Sequence, residues 1–425
     1  MPDVVAHPLP DRYAHRSART TVTVVDAAGQ PRPGIDVHVA QRRHAFAFGN
    51  IGFDLIPLAN EETEYPKNVF GGATHDLALL GDLYVELFNT ATLPFYWRGF
   101  EPQRGRPDTA RLLRAAQWFA ERGVDVKGHP LVWHTLAPSW LLPLSDDEVR
   151  DEIRARITRD VTDFAGLIDT WDAINEVVIL PVFTAEQNAV TRLAQREGRV
   201  GMVRLAFETA RAANPHATLL LNDFDLSERY EHLIEDCLDA GIRIDALGLQ
   251  SHMHQGYWGE EKTHRILDRY RRFGLPLYWT ETTLLSGELM PPEIVDLNDY
   301  QVSHWPSTPA GEERQAEEIV RHYTTLYADP AVQGATYWGL TDDGAWLGAP
   351  SGLVRADGTR KPAYDELHRL IKGEWWLKGA DVRTDDEGRF VLDAGLGDYV
   401  LAAGAATADV SLTSDVPAVT AQLVG

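Results

Sequence analysis

Eight short apolar segments recur along the middle of the chain, with amphipathic stretches between them. The segments are residues 44–50, 87–93, 125–133, 168–176, 217–224, 245–252, 275–282 and 333–340. This alternation is typical of a parallel sheet whose strands are connected by helices. Eight such units over about 320 residues predict an α/β fold, a (β/α)8 TIM barrel that forms one large domain.

The stretches between the segments carry signals of helix boundaries. Ser145 and Glu148 have the spacing of a capping box. Gly123 follows another amphipathic stretch, at a position where glycine commonly ends a helix in the left-handed conformation. We therefore expect one helix to begin after Ser145 and another to end before Gly123.

The two ends of the chain have a strand-like pattern instead. Residues 20–41 alternate valine with polar residues around a Gly/Pro turn, and residues 381–403 add two more strands. Because a single hairpin is rarely stable alone, we expect both ends to pair into one small β-sandwich, in an order that resembles the carboxypeptidase-regulatory-like sandwich. The expected parts are an N-terminal extension at 1–17, sandwich at 18–45, catalytic barrel at 46–374 and sandwich at 375–425.

Charge and composition exclude several classes of partner. The formal net charge of -23 argues against nucleic acid and against anionic membrane, whose phosphates require clustered Lys and Arg. Cys237 is the only cysteine, which rules out an intramolecular disulfide and a thiolate metal cluster. Residues 1–20 contain no apolar signal-peptide core, so we expect a cytoplasmic chain; a secreted chain whose signal peptide had been removed would look the same.

Polar side chains stand at or near the carboxyl end of six of the eight segments. They are His129, Asn175 with Glu176, Asn222 with Asp223, Gln250 with His252, Glu281, and Thr341 with Asp342. The carboxyl ends of barrel strands form one rim, which is where such barrels carry their active sites. Glu176 lies in the apolar run TWDAINEVV, and a buried carboxylate is costly unless it is paired or functional.

Two of these rim residues, Glu176 and Glu281, favour hydrolysis of a glycosidic bond. That reaction uses one carboxyl group to protonate the leaving oxygen and a second to attack the anomeric carbon or activate water. The amide of Asn175 is suited to hydrogen-bond a sugar hydroxyl as charge develops. Gln250 and His252 are placed to hold Glu281 or a sugar.

Six motifs, in order along the chain, resemble those of glycoside hydrolase family 10, the xylanase family. They are KGHPLVWH (127–134), WDAINE (171–176), LNDF (221–224), GLQSH (248–252), WTET (279–282) and YWGLTDDGAWL (337–347). The resemblance covers about residues 46–374. It implies a retaining β-glycoside hydrolase without a cofactor or metal, acting on a β-linked xylo-oligosaccharide or small β-glycoside.

The resemblance also implies roles for individual residues. Glu176 would be the general acid/base and Glu281 the nucleophile, with carboxyl groups about 5–5.5 Å apart. An apolar setting and the charge of Glu281 would raise the pKa of Glu176. The substrate-binding residues would be His129, Trp133, Asn175, Gln250, His252, Trp338 and Trp346.

One stretch departs from the family pattern. The family usually places Glu, Asn and Lys after the second strand, where they bind sugar on the non-reducing side of the cut. Here the stretch is FNTATLPFYWRGFEP (88–102), with Tyr96 in the place of the Lys, directly before Trp97. We include Tyr96 and Trp97 among the substrate-binding candidates, and expect a more apolar glycone site that prefers short substrates.

Other interpretations remain open from the sequence. The lost polar groups could be supplied from another loop, which would leave an ordinary endo-1,4-β-xylanase acting on polymeric xylan. The pair His252 and His254, with His129, Asp223 and Asp342, could belong to a metal-dependent barrel hydrolase. A sugar-binding protein without catalysis is a third alternative. The sequence does not determine the exact sugar, the aglycone or the oligomeric state.

Overall fold

The computed structural model describes residues 3–62 and 76–424. Its strands, in chain order, are β1 Val4–Ala6, β2 Ser17–Val25, β3 Asp36–His44, β4 Ala47–Ile51, β5 Thr90–Pro94, β6 Asp125–His129, β7 Thr170–Asn175, β8 Thr218–Asp223, β9 Ala246–His252, β10 Leu277–Thr283, β11 Val332–Tyr337, β12 Ala380–Arg383, β13 Arg389–Gly395, β14 Gly397–Ala403, β15 Ala406–Leu412 and β16 Ala418–Gln422. Its α-helices are α1 Ile56–Ala59, α2 Leu77–Leu87, α3 Trp97–Phe100, α4 Thr109–Ala120, α5 Asp146–Asp163, α6 Ala189–Ala213, α7 Glu228–Asp239, α8 Gly259–Arg271, α9 Pro309–Tyr327 and α10 Pro362–Arg369.

The strands β4 to β11 form a closed barrel in sequence order, with β11 beside β4. Neighbouring strands are parallel, as in the pairs of β7 with β8 and of β9 with β10. Both faces of these strands are covered, which is why they are almost continuously apolar in sequence. The predicted (β/α)8 fold is therefore confirmed.

The helix boundary signals correspond to observed caps. Ser145 accepts a hydrogen bond from the backbone of Glu148, whose side chain returns to the backbone of Ser145, and α5 follows. Gly123 has a φ of 71°, shortly after the end of α4. Such caps satisfy backbone groups that a helix end leaves without partners.

The chain ends form two four-stranded sheets, in the orders β1-β13-β2-β16 and β12-β3-β14-β15. In each sheet N-terminal strands pair with C-terminal ones, for example β2 with β13 and β3 with β14. Their buried side chains, which include Val22, Val39, Phe390 and Leu401, form one apolar cluster. This is the β-sandwich predicted from the two ends.

The chain divides into two compact units, Met1–Phe48 with Tyr323–Pro330 and Asp365–Gly425, and Gly49–His322 with Ala331–Tyr364. The first unit thus contains segments that the sequence assigns to the barrel, and the ring of Tyr327 stacks on that of Trp375 at 4.1 Å within it. Strand β1, which lies in the expected N-terminal extension, pairs with β13 of the sandwich. Within residues 3–62 and 76–424, no helix combines the length and the apolar character needed to cross a membrane.

Candidate active site

An amide network at the carboxyl ends of β7, β8 and β9 joins the two carboxyl groups. The side chain of Asn222 donates from Nδ2 to Glu281 Oε1 and to Asn175 Oδ1, both at 2.8 Å. Gln250 Nε2 donates to Asn175 Oδ1 at 3.1 Å and to Glu176 Oε1 at 3.4 Å. The structure therefore brings Glu176, Glu281, Asn175 and Gln250 together as one hydrogen-bonded group.

Glu176 is held as a protonated acid. Trp133 Nε1 donates to its Oε2 at 2.8 Å, and only 14% of the side chain is exposed. Burial, together with the charges of Glu281 and Asp223, raises the pKa of Glu176 from 4.5 to about 8 against the lowering effect of the Trp133 hydrogen bond. At neutral pH this carboxyl group can therefore donate a proton.

The backbone around Glu176 is fixed by β8. Glu176 has a φ of 57°, in the left-handed region that is uncommon for residues other than glycine. Its backbone N–H donates to the carbonyl of Asn222 at 2.9 Å, and the N–H of Val178 donates to Asp223 Oδ2 at 3.0 Å. Asp223 is fully buried, and burial raises its pKa to about 7.

Glu281 is held as a carboxylate. His252 Nε2 donates to its Oε2 at 3.0 Å, and His129 Nε2 lies 3.9 Å from its Oε1. Burial acts to raise its pKa, but the charge of His129 and the hydrogen bond from His252 outweigh burial and hold the pKa below 4.5. Opposite protonation states of two neighbouring carboxyl groups are what acid and nucleophile require.

Asp172, the second acid of the run TWDAINEVV, has two structural partners at one of its oxygens, Oδ2. Lys127 Nζ lies 2.6 Å and His129 Nδ1 lies 2.7 Å from Asp172 Oδ2, and all three residues are buried. Because His129 donates from Nδ1 to Asp172, its other nitrogen faces Glu281. His129, predicted to bind sugar, is only 1% exposed.

Aromatic side chains surround this group. Trp338 lies with its ring centroid 5.2 Å from that of His129, Tyr96 lies 5.4 Å from Trp133, and Trp346 lies 4.8 Å from His252. The structure thus places Trp338, Trp346 and Tyr96 against rings that themselves lie next to the two carboxyl groups.

Trp97 is not part of this group. Its indole N–H donates to Glu101 Oε2 at 3.1 Å, and the guanidinium of Arg156 lies 4.7 Å from the centroid of the Trp97 ring. Trp97 is the first residue of α3 and is buried. The expectation that Trp97 contacts substrate therefore has no support in its contacts.

Two features of the site escaped the sequence reasoning. Lys127 was not recognised as the partner of Asp172, although a lysine and an acid inside adjacent apolar strands indicate a buried ion pair. Phe53, which follows β4, packs against Tyr96 and Trp338. No signal identified Phe53, because an apolar residue after an apolar strand is ordinary.

Of the histidine pair that motivated the metal-site alternative, His252 is hydrogen-bonded and His254 packs among aromatic rings. His252 Nδ1 lies 3.0 Å from Thr283 Oγ1, and its Nε2 is bonded to Glu281. His254 is buried, and burial lowers its pKa to about 3. Among the residues that the structure describes, no group of three or more His, Cys, Asp or Glu side chains is arranged to hold a metal ion.

The sequence is similar to a known protein family and to several of its members. A model of glycosyl hydrolase family 10 matches residues 90–369, which is more than half of the chain. The chain is 24% identical over 349 residues to endo-1,4-β-xylanase C of Paenibacillus barcinonensis, covering 72% of the chain and 31% of the relative. It is 31% identical over 271 residues to endo-1,4-β-xylanase B of Cellvibrio japonicus, covering 63% of the chain and 39% of the relative.

The fold is also similar to that of a known xylanase structure. The structure of xylanase 10B from Thermotoga petrophila in complex with xylobiose superposes with a TM-score of 0.61 at 21% sequence identity, covering 77% of this chain and 94% of that one. The chain spans less than half the length of the two sequence relatives named above.

Proposed function

Because the chain belongs to glycosyl hydrolase family 10, we propose that it hydrolyses β-linked xylosides with retention of configuration at the anomeric carbon. The observation that carries the proposal is the pair of carboxyl groups joined by the Asn222–Asn175–Gln250 network. Glu176 has a raised pKa and Glu281 a lowered one, so the pair contains one proton donor and one carboxylate at neutral pH.

The reaction proceeds in two displacements. In the first, Glu281 attacks the anomeric carbon, the bond to the leaving oxygen breaks, and Glu176 gives its proton to that oxygen. In the second, the ionised Glu176 takes a proton from water, the water oxygen attacks the anomeric carbon, and Glu281 leaves as a carboxylate. The hydrogen bond from His252 stabilises Glu281 both before attack and on release.

The proposed substrates are short β-linked xylo-oligosaccharides or small β-glycosides. Support comes from Tyr96, which stands where the family usually has a lysine and is 8% exposed. An aromatic ring in place of an ammonium group removes charge-assisted hydrogen bonds to sugar hydroxyls, which are worth about 1.5–3 kcal/mol each. Loss of such bonds weakens binding of long chains, whose remote sugars help to position the bond that is cut.

A second candidate is endo-1,4-β-xylanase activity on polymeric xylan. The names of both sequence relatives favour it, and the Thermotoga petrophila structure contains xylobiose. Under this alternative the groups that bind distal sugars would come from other loops.

The experiment compares kcat/KM on xylohexaose, an aryl β-xyloside and soluble arabinoxylan, with aryl β-glucoside and β-cellobioside as probes of the sugar. We expect the short xylosides to be hydrolysed faster than the polymer. The Glu281→Ala variant, purified in the same way, serves as the control for activity from contaminating hydrolases. Turnover of the polymer equal to that of the short substrates would favour the alternative, endo-xylanase activity. No turnover of any β-glycoside would refute the proposed hydrolase activity.

A further inference from the structure

Four rings form a closed cycle beside the carboxyl groups. Their pairs are Phe53–Tyr96, Tyr96–His129, His129–Trp338 and Trp338–Phe53, with centroid separations of 6.0, 5.7, 5.2 and 5.7 Å. The angles between ring planes are 89°, 88°, 76° and 81°, so every contact is edge-to-face. We call Phe53, Tyr96, His129 and Trp338 the aromatic quartet.

The quartet leaves no passage for a sugar between its members. Contacting carbon atoms need about 3.5–4.0 Å between them, so a sugar held between two rings would separate their centroids by about 7–8 Å. All four separations are smaller. Phe53 is 3% exposed, and Tyr96 and Trp338 are each 8% exposed, as expected for a packed wall.

Asn50, a polar residue near the end of β4, uses its side chain for hydrogen bonds to the backbone. Asn50 accepts hydrogen bonds through Oδ1 from the backbone N–H of Ile51 at 2.8 Å and of Gly339 at 3.2 Å. Its Nδ2 donates to the carbonyl of Gly339 at 3.4 Å. A second sugar unit at this side of the site would thus meet Phe53 rather than the amide of Asn50.

The position of the quartet identifies which part of the substrate it limits. His129, a quartet member, lies 3.9 Å from Glu281, the group that attacks the glycone sugar. The wall therefore borders the glycone sugar.

We propose that Phe53 is a specificity-determining residue, which completes the aromatic quartet and restricts the glycone site to a single sugar. The inference rests on the proposed β-xylosidic activity. It means that the enzyme removes one sugar at a time from the non-reducing end of an oligosaccharide, or cleaves simple β-xylosides, and does not cut inside a chain.

The test uses 4-nitrophenyl β-xyloside, β-xylobioside and β-xylotrioside with the full chain. For the unmodified chain we expect the highest kcat/KM on the β-xyloside, and labelled xylopentaose as the first product from xylohexaose labelled at its reducing end. Phe53→Ala should open the wall and raise the ratio of kcat/KM on the xylobioside to that on the xyloside by at least about tenfold.

The matched control is Phe207→Ala, which truncates a similarly buried phenylalanine on α6 that is not a member of the aromatic quartet. It should leave the xylobioside to xyloside ratio unchanged. If Phe53→Ala does not fold, Phe53→Leu should shift the ratio in the same direction by less, and the product pattern of the unmodified chain still tests the proposal.

Two results would contradict the inference in distinguishable ways. If the unmodified chain prefers the xylobioside or xylotrioside by tenfold or more, or releases internal fragments from xylohexaose, the one-sugar limit is wrong while the hydrolase stands. If it hydrolyses none of the three xylosides, the proposed function itself is wrong.

Discussion

On one side of the barrel rim, β7 to β10 end in amides, carboxyl groups and an imidazole that hydrogen-bond to one another. On the other side, residues at the ends of β11, β4 and β5 contribute rings packed edge-to-face. A buried polar group without a partner costs free energy, so each residue of the polar side fixes its neighbours. The aromatic side is held largely by the packing of its rings, which tolerates other side chains of similar volume.

Removing the nucleophile should have the largest effect. Glu281→Ala should abolish turnover of every β-glycoside, because no covalent intermediate can form. Added azide should restore turnover and give a product of inverted configuration, measured by NMR of the glycosyl azide. Measurable azide-independent turnover, with the fold confirmed by circular dichroism, would show that the polar side acts without Glu281.

Removing the acid should have an effect that depends on the leaving group. Glu176→Ala should slow hydrolysis of xylosides with poor leaving groups by roughly 10²–10⁴-fold and that of a dinitrophenyl xyloside much less. Azide should rescue this variant with retained β configuration. Equal losses across leaving groups of different pKa would disprove the role of Glu176 as general acid.

The buried ion pair below the site should matter for stability. Asp172→Asn removes the counter-charge of the buried Lys127, and breaking such a pair typically costs about 3–5 kcal/mol of unfolding free energy. Urea unfolding measures the change. Asp172→Asn combined with Lys127→Met should recover part of the loss, and a double variant no more stable than the single one would argue against the pairing as its cause.

The protonation states predict a bell-shaped dependence of kcat/KM on pH. Activity should fall by about tenfold per pH unit above about pH 8, as Glu176 loses its proton, and should fall again below the lowered pKa of Glu281. Glu176→Ala assayed on a dinitrophenyl xyloside should lack the alkaline limb. If the variant still loses activity at alkaline pH, that loss is due to deprotonation of a group other than Glu176.

The aromatic side should respond least to loss of a polar atom. Tyr96→Phe keeps the ring and removes only the hydroxyl, so kcat/KM should change by less than about tenfold, in line with the roughly 0.5–1.5 kcal/mol net value of one hydrogen bond. A larger loss would mean that Tyr96 acts as a hydrogen-bonding residue, and that the two sides of the rim are more alike than their packing indicates.

The same contrast explains how far the sequence could predict this molecule. The barrel followed from the strand and helix periods, and Asn175, Gln250 and Glu281 followed from motifs in which each polar residue needs the others. Tyr96 was identified as a site residue only because it stands where the family usually has a lysine. Phe53 was not found, since packing partners that are distant in sequence leave no local pattern. The contacts of Trp97 with Glu101 and Arg156 could not be predicted either, because the sequence does not show which way a side chain after β5 points.

The left-handed backbone at Glu176 has a cost beyond catalysis. A residue other than glycine held in this conformation typically loses about 1–3 kcal/mol. Substituting glycine at this position relieves that strain, whereas alanine does not. We therefore expect Glu176→Gly to relieve backbone strain that the native chain retains at the residue proposed as its acid.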